Sequence, residues 1–146
     1  PAPPRAGDVL PVGDPPPGPE GAGSGVPRPA EEGPARLRLR IGPRDDWFTG
    51  SSLAALWASD LEVSPSSNRV AVRLRGEAVV RRVAGELASE GLVTGAVQVP
   101  GDGQPLIFLA DRPTTGGYPV VGVVDPDDLP RCAQLRPGDV VRFSRR

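Results

Sequence analysis

The segment Gly95–Val124, GAVQVPGDGQPLIFLADRPTTGGYPVVGVV, contains the clearest structural pattern in the chain. Its two apolar runs, Leu106–Ala110 and Val120–Val124, are too short for helices and are bounded by turn residues. Runs of this kind are typical of strands that are buried on both faces. Asp102-Gly103 predicts a tight hairpin turn, and the alternating stretch Gly95–Val99 predicts the strand before it. We therefore predict three strands joined by one tight turn and one wider loop.

The wider loop, Asp111–Pro119, carries the densest group of polar and glycine residues beside a core strand. Hydroxyl groups and backbone N–H groups that glycine leaves uncovered can bind a carboxylate, a carbonyl oxygen or a phosphate. The alternative is a tight connection between core strands that has no ligand. We predict a site here, with four substrate-binding residues: Thr114, Thr115, Gly116 and Gly117.

Two residues of this loop, Asp111 and Tyr118, are the candidate catalytic groups. Asp111 can orient a donor or act as a base, and Arg112 can hold a carboxylate of the substrate through a bidentate contact. Neighbours on an extended segment point to opposite faces, so we expect only one of Asp111 and Arg112 to face the site.

The residue types that are missing exclude several chemistries. The 146 residues include no histidine, and each of the 17 basic residues is an arginine. A Ser-His-Asp or Cys-His arrangement, a Schiff base, a biotin-accepting lysine and a P-loop lysine are therefore excluded within this chain. Cys132 is the single cysteine, which excludes an intrachain disulfide and a cysteine-based zinc site. We interpret Cys132 as a small buried residue and predict no metal site.

Charge and hydropathy indicate a soluble protein. The net charge is −1, with acidic and basic residues interspersed, so we expect neither a nucleic acid nor a membrane as partner. The chain has no secretory apolar region and no apolar run long enough to span a bilayer. We predict a cytoplasmic location.

Short strands dominate the rest of the sequence. Arg36–Ile41 alternates strictly, and we predict a half-exposed edge strand whose arginines prevent pairing with another chain; a face for a partner or an anionic ligand is the alternative. Further predicted strands are 61–63, 70–75 and 140–143. Two short helices are predicted, over 53–58 with Thr49 or Ser51 as N-cap and over 129–133 with Asp127 or Asp128 as N-cap. This pattern favours a mainly β fold, a closed or nearly closed β-barrel with one or two short helices.

Three segments resemble the carboxyltransferase A/B family: GAVQVPGDGQP (95–105), ADRPTTGGYP (110–119) and AQLRPGDVVRF (133–143). That family includes the C subunit of 5-oxoprolinase (the KipA-type protein), the allophanate hydrolase subunit 2 group and the carboxyltransferase domain of urea carboxylase. Members of this type are longer than this chain, so the resemblance implies the C-terminal half of a family member. Many members carry glutamine where this chain has Pro113, which removes any contact made by that side chain.

The resemblance also implies a fold and further site residues. The second half of the family domain is a cyclophilin-like β-barrel, a likeness that does not transfer prolyl isomerase activity. Asn68-Arg69 matches a family S-N-R motif and Gln104 lies in the first of the three segments. Asn68, Arg69 and Gln104 are therefore implied as substrate-binding residues. A structural role for Asn68, at a left-handed turn position, is the alternative.

The activity implied first is ATP-dependent hydrolysis of 5-oxoproline to glutamate. In that case the chain acts together with a KipI-type companion (the B subunit of 5-oxoprolinase) and with the lactam-binding A subunit. The complex uses ATP, and this chain alone is expected to bind no cofactor. One alternative is a biotin-dependent carboxyltransferase, of the urea carboxylase or allophanate hydrolase subunit 2 type, that positions carboxybiotin against a urea-like acceptor. Another is a KipA-type antagonist that binds a kinase inhibitor protein.

The resemblance and the composition together divide the chain into three parts. Residues 1–13 are interpreted as a remnant of the preceding half-domain. Residues 14–35 are rich in proline and glycine and are predicted to be a flexible linker, because they have few apolar side chains to bury. Residues 36–146 are predicted to form the C-terminal, cyclophilin-like domain. We expect this chain alone to be catalytically inactive.

Overall fold

The computed structural model describes residues 5–11, 13, 33–85 and 87–146. The chain divides into two units, Pro1–Ala30 and Glu31–Arg146. In the first unit, Asp8 N–H donates to the Arg5 carbonyl, and the Arg5 N–H donates to the Asp8 carboxylate. None of the described residues of this unit lies in a strand. Most of the predicted linker lies outside the described residues, so the predicted boundaries stay predictions.

The second unit is built from short strands. The strands are β1 (Ala35–Ile41), β2 (Leu61–Val63), β3 (Ala71–Arg75), β4 (Glu90–Gly91), β5 (Ala96–Gln98), β6 (Leu106–Phe108), β7 (Thr115–Gly116), β8 (Val120–Val124) and β9 (Val140–Arg145). The helices are α1 (Gly50–Ala58) and α2 (Leu129–Cys132), each preceded by a 3₁₀ turn, at Asp45–Trp47 and Pro126–Asp128. The order β1-β8-β5-β6-β3-β2-β9 closes into a barrel, while β4 and β7 form a separate two-stranded ribbon. The predicted mainly β barrel with two short helices is confirmed.

The three predicted central strands are present as β5, β6 and β8. β5 and β6 pair as an antiparallel hairpin in which Val97 lies opposite Ile107. Gly103 in the connecting turn has a φ of +75°, a conformation that favours glycine. All three residues of β6 and four of the five in β8 are buried. These strands hold both ends of the wider loop.

β1 alternates as predicted, but it is not an edge strand. Leu37 and Leu39 are buried, and the intervening arginines are exposed. β1 pairs antiparallel with β8 on one side and parallel with β9 on the other, where Leu37 lies opposite Phe143. The prediction of an edge was wrong because barrel closure brings the distant β9 alongside. Arg38, on the outer face, forms an ion pair with Asp128 at 3.0 Å instead of repelling another chain.

The core lies inside the barrel and beneath α1. Its largest fully buried side chains are Phe143, Leu37, Leu39, Leu61, Leu74, Ile107, Val63, Val97, Val99, Val121, Val124 and Val141. Cys132 is fully buried against them, and burial raises the pKa of its thiol to about 12. The thiol is therefore protonated at neutral pH, in agreement with a packing role. Neither helix of the described part of the chain is long and apolar enough to cross a membrane.

The two predicted N-caps have different outcomes. The Thr49 hydroxyl accepts a hydrogen bond from the Ser52 N–H and caps α1, as predicted. At the second helical segment the capping side chain is Asp125, which accepts from the Asp127 N–H. Asp128, one of the two predicted residues, occupies the N-cap position of α2, but its side chain makes no capping hydrogen bond there; the side-chain cap belongs to the 3₁₀ turn that precedes α2.

Candidate functional site

The wider loop between β6 and β8 contains a short strand of its own. In the ribbon, Gly116 of β7 lies opposite Glu90 of β4, and Thr115 lies opposite Gly91. The Leu92 N–H extends this pairing by donating to the Thr114 carbonyl at 2.9 Å. Two residues on each strand show no readable periodicity, so sequence reasoning missed this ribbon. The loop backbone is fixed, while the side chains of Thr114 and Thr115 remain exposed.

The two glycines of the loop have different surroundings. A Cβ atom on Gly116 would lie 2.8 Å from the Gln98 Nε2 and 2.9 Å from the Leu92 Cδ1, which is too close. A Cβ atom on Gly117 would come no closer than 3.4 Å, to the Leu87 carbonyl oxygen. Gly117 does not have a positive φ, so the backbone there is not strained for other residues. Any larger residue at position 116 therefore requires the buried side chains of Gln98 and Leu92 to move.

Gln98, in the barrel strand β5, holds the loop through a hydrogen bond, and sequence reasoning missed this role. Its side chain is buried in β5, and its Nε2 donates to the Tyr118 carbonyl at 2.8 Å. This hydrogen bond fixes the backbone at the end of the loop. A polar residue inside the apolar run A-V-Q-V is the signal that identifies it, because buried polar side chains require a partner.

Tyr118 is half-exposed, with 49% of its surface accessible. The Arg81 guanidinium carbon lies 5.5 Å from the centroid of its ring, within the range of a cation–π contact. Arg81 Nη2 also donates to the Val99 carbonyl at 2.6 Å. A cation therefore stands beside the candidate catalytic phenol. Sequence reasoning missed Arg81, although the pair Arg81-Arg82 interrupts an otherwise apolar segment.

Asp111 and Arg112 take different partners. The Asp111 carboxylate forms an ion pair with the Arg69 Nε at 3.0 Å, with both side chains more than half exposed. Arg112 is half-buried and donates from its Nε to the Leu92 carbonyl at 3.1 Å. The structure thus brings Arg69 and Asp111 together at one end of the loop. Their roles in binding or catalysis stay predictions.

The two remaining predicted residues make backbone contacts. Asn68 Oδ1 accepts from the N–H groups of Val70 and Ala71 at the start of β3. Asn68 does not have a positive φ, so the left-handed turn suggested for it was wrong. The side chain of Gln104 exchanges two hydrogen bonds with the backbone of Gly76, and none of its hydrogen bonds in the described part of the chain involves the loop. Asn68 and Gln104 therefore both stabilise the local backbone through side-chain hydrogen bonds.

An ion pair holds the ribbon against the barrel. Arg44, just after β1, forms hydrogen bonds with both carboxylate oxygens of Glu90 in β4. The Arg44 N–H donates to the Val120 carbonyl at 3.0 Å, so the same residue also contacts β8. The hydrogen bonds from Arg44 hold the pKa of Glu90 below its usual value, and Glu90 is ionised at neutral pH. This pair fixes the ribbon and, through it, the loop.

The resulting arrangement suits the binding of a small polar molecule. Two threonine hydroxyls and one phenol are exposed at the loop, and two half-buried arginines, Arg81 and Arg112, lie at its sides. Such groups bind and orient carbonyl or carboxylate oxygens through hydrogen bonds and charge. Among the described residues, no group of histidine, cysteine, aspartate or glutamate side chains could hold a metal ion.

The sequence profile described as carboxyltransferase domain, subdomain A and B, matches residues 2–145. The chain belongs to this family. It is 39% identical over 108 residues to the C subunit of 5-oxoprolinase from Escherichia coli, covering 74% of this chain and 35% of that protein. It is 34% identical over 112 residues to the C subunit of 5-oxoprolinase from Haemophilus influenzae, covering 75% of this chain and 36% of that protein. The chain thus spans about a third of the length of these curated relatives.

The chain is also similar to urea amidolyases and to solved structures. Urea amidolyase of Saccharomyces cerevisiae is 30% identical over 129 residues, covering 81% of this chain and 7% of that protein. The crystal structure of TTHA0988 superposes with a TM-score of 0.63 at 40% identity, covering 76% of this chain and 21% of that one. The crystal structure of the K. lactis urea amidolyase superposes with a TM-score of 0.70 at 26% identity, covering 74% of this chain and 7% of that one. The family resemblance is confirmed.

Proposed function

We propose that this chain is part of a protein of the 5-oxoprolinase C subunit type and contributes to the ATP-dependent hydrolysis of 5-oxoproline to glutamate. The observation that carries the proposal is the 39% identity to the C subunit of 5-oxoprolinase across three quarters of the chain. The loop geometry supports it, because the exposed groups are hydrogen-bond donors suited to amide and carboxylate oxygens. We further propose that the complex is cytoplasmic and that it uses the ATP, while this chain binds no cofactor by itself.

The proposed contribution of the loop is to bind and polarise the substrate. The hydroxyls of Thr114 and Thr115 and the phenol of Tyr118 are placed to donate to substrate oxygens on which negative charge develops during amide cleavage. The fixed backbone matters here, since donors that need no rearrangement stabilise a transition state more effectively. Gln98 and Gly116 act indirectly, by holding the backbone that presents these groups.

The activity is tested on the full-length protein assembled with its proposed companions, the KipI-type B subunit and the lactam-binding A subunit. ATP hydrolysis and glutamate formation are measured with 5-oxoproline as substrate. We expect both to require all three proteins. Full glutamate formation in the absence of the protein that contains this chain would overturn the proposal.

A biotin-dependent carboxyltransferase is the second candidate. The observation that favours it is the superposition on the K. lactis urea amidolyase, with a TM-score of 0.70 at 26% identity. In this reading the same loop positions carboxybiotin against a urea-like acceptor. Addition of avidin, which sequesters biotin, separates the two functions. Carboxylation of a urea-like acceptor that avidin blocks supports the second candidate, and avidin-insensitive hydrolysis of 5-oxoproline supports the first.

A further inference from the structure

A pocket beside Tyr118 lies outside the predicted site. It has a volume of about 430 Å³ and is lined by residues 78–85 and by the turn Gly101–Gly103. This volume is within the range of small-molecule sites in proteins. Its walls are mainly alanine and valine side chains, which can cover the methylene groups of a small ring. Arg81 belongs both to this pocket and to the contact with Tyr118, so the pocket adjoins the loop.

Arg81 is a half-buried cation without an acidic partner among the described residues. Its guanidinium forms no ion pair in that part of the chain, and its Nε is buried without an acceptor there. Its polar and ring contacts are with the Val99 carbonyl and the face of the Tyr118 ring. A cation removed from water is stabilised by an anion, and no acidic side chain among the described residues forms an ion pair with Arg81.

The other two charged residues of the pocket, Arg82 and Asp102, are exposed to solvent. Arg82, the next residue, donates from both Nε and Nη2 to the Asp46 carbonyl at 3.1 and 2.7 Å. Asp102 is exposed and accepts a hydrogen bond from the Gln104 N–H. Of the two pocket arginines, Arg81 is therefore the one whose charge is partly removed from water, because Arg81 is half-buried and Arg82 is exposed.

We propose that this pocket binds the carboxylate of a small cyclic-amide substrate through Arg81, next to the hydroxyl groups of the loop. This assignment rests on the proposed hydrolysis of 5-oxoproline, which is a lactam that carries one carboxylate. The planar guanidinium matches a carboxylate through paired N–H donors. The apolar walls accept the ring, and the lactam group is then presented to Thr114, Thr115 and Tyr118. Arg81 is the specificity-determining residue of this arrangement.

The test compares two ligands that differ by the carboxylate alone. Binding of 5-oxoproline and of 2-pyrrolidinone, the same ring without its carboxylate, to the full-length protein is measured by calorimetry without ATP or companion subunits. We expect 5-oxoproline to bind roughly ten- to a hundredfold more tightly, as is typical of a hydrogen bond to a charged group. Equal affinities, or inorganic phosphate binding as tightly as 5-oxoproline, would overturn the assignment without any variant being needed.

Variants then identify the residue. Arg81→Gln should abolish the preference for 5-oxoproline, and Arg81→Lys should retain part of it. Arg82→Gln removes the same charge from the adjacent residue and should leave the preference intact. Equal losses in Arg81→Gln and Arg82→Gln would contradict a specific role for Arg81. Thermal melting confirms that each variant is folded. Because the binding assay needs no turnover, an inactive complex would overturn the proposed function and leave the pocket result standing.

Discussion

Neighbouring glycines in the loop differ at the scale of single residues. Gly116 lies directly over the amide of Gln98 and the side chain of Leu92, whereas Gly117 has room for a methyl group. The motif T-T-G-G-Y therefore contains one glycine whose replacement displaces packed side chains and one with room for a methyl group. From the sequence alone, both were expected to expose backbone amides to a ligand, because the sequence does not contain the distance to Gln98.

We predict that Gly116→Ala destabilises the fold by about 1–3 kcal/mol, the usual cost of forcing an extra group into a packed site. Gly117→Ala is the matched control, and we expect its free energy of unfolding to stay close to that of the wild type. Chemical denaturation of both variants measures the difference. Equal stabilities for the two variants would show that the contact between Gly116 and Gln98 does not constrain the loop.

At the scale of elements, the ribbon of β4 and β7 depends on the ion pair between Arg44 and Glu90. The hydrogen bonds from Arg44 lower the pKa of Glu90 in the folded protein. A carboxylate of this kind stabilises the fold at pH values above its unfolded pKa, and the contribution is lost as the pH falls through the folded value.

The melting temperatures of wild type and Glu90→Gln should therefore differ most near neutral pH, and the difference should shrink as the pH falls below about 4. The wild type should be the more stable protein at the neutral end. Thermal melts across this pH range make the measurement, and Glu62→Gln, at an exposed position on β2, serves as the control. A difference between wild type and Glu90→Gln that does not change with pH would contradict the role given to this pair.

The elements also show how far sequence reasoning reaches. The buried runs of β5, β6 and β8 and the alternation of β1 are local patterns, and they predicted strands correctly. The pairing of β1 with β9 joins segments about a hundred residues apart, so no local pattern shows it. For the same reason, the contacts of Arg81 with Tyr118 and of Arg44 with Glu90 were not predicted. The composition of the loop identified it in the sequence. The residues that hold the loop in place, such as Gln98 and the Arg44–Glu90 pair, were identified only in the structure.

At the scale of the whole molecule, the chain carries a barrel and a loop but few reactive groups. It contains no lysine and no histidine, and it spans about a third of the 5-oxoprolinase subunits that it matches. We predict that the purified 146-residue chain does not hydrolyse ATP in the presence of 5-oxoproline. A phosphate-release assay measures this, with the assembled complex as positive control. Turnover by the chain alone would show that it contains a complete active site.

The central claim is that the Thr114–Tyr118 loop acts on the substrate. It is tested most directly by the kcat/KM of the assembled complex with 5-oxoproline for Tyr118→Phe, Thr114→Val and Thr115→Val. Each variant removes one hydroxyl and nearly preserves its shape, so the melting temperatures should be unchanged. A lost hydrogen bond to the substrate costs about 0.5–1.5 kcal/mol, and we therefore expect kcat/KM to fall several-fold in at least one variant. Full activity in all three variants would mean that the loop only connects two strands and that the site lies elsewhere.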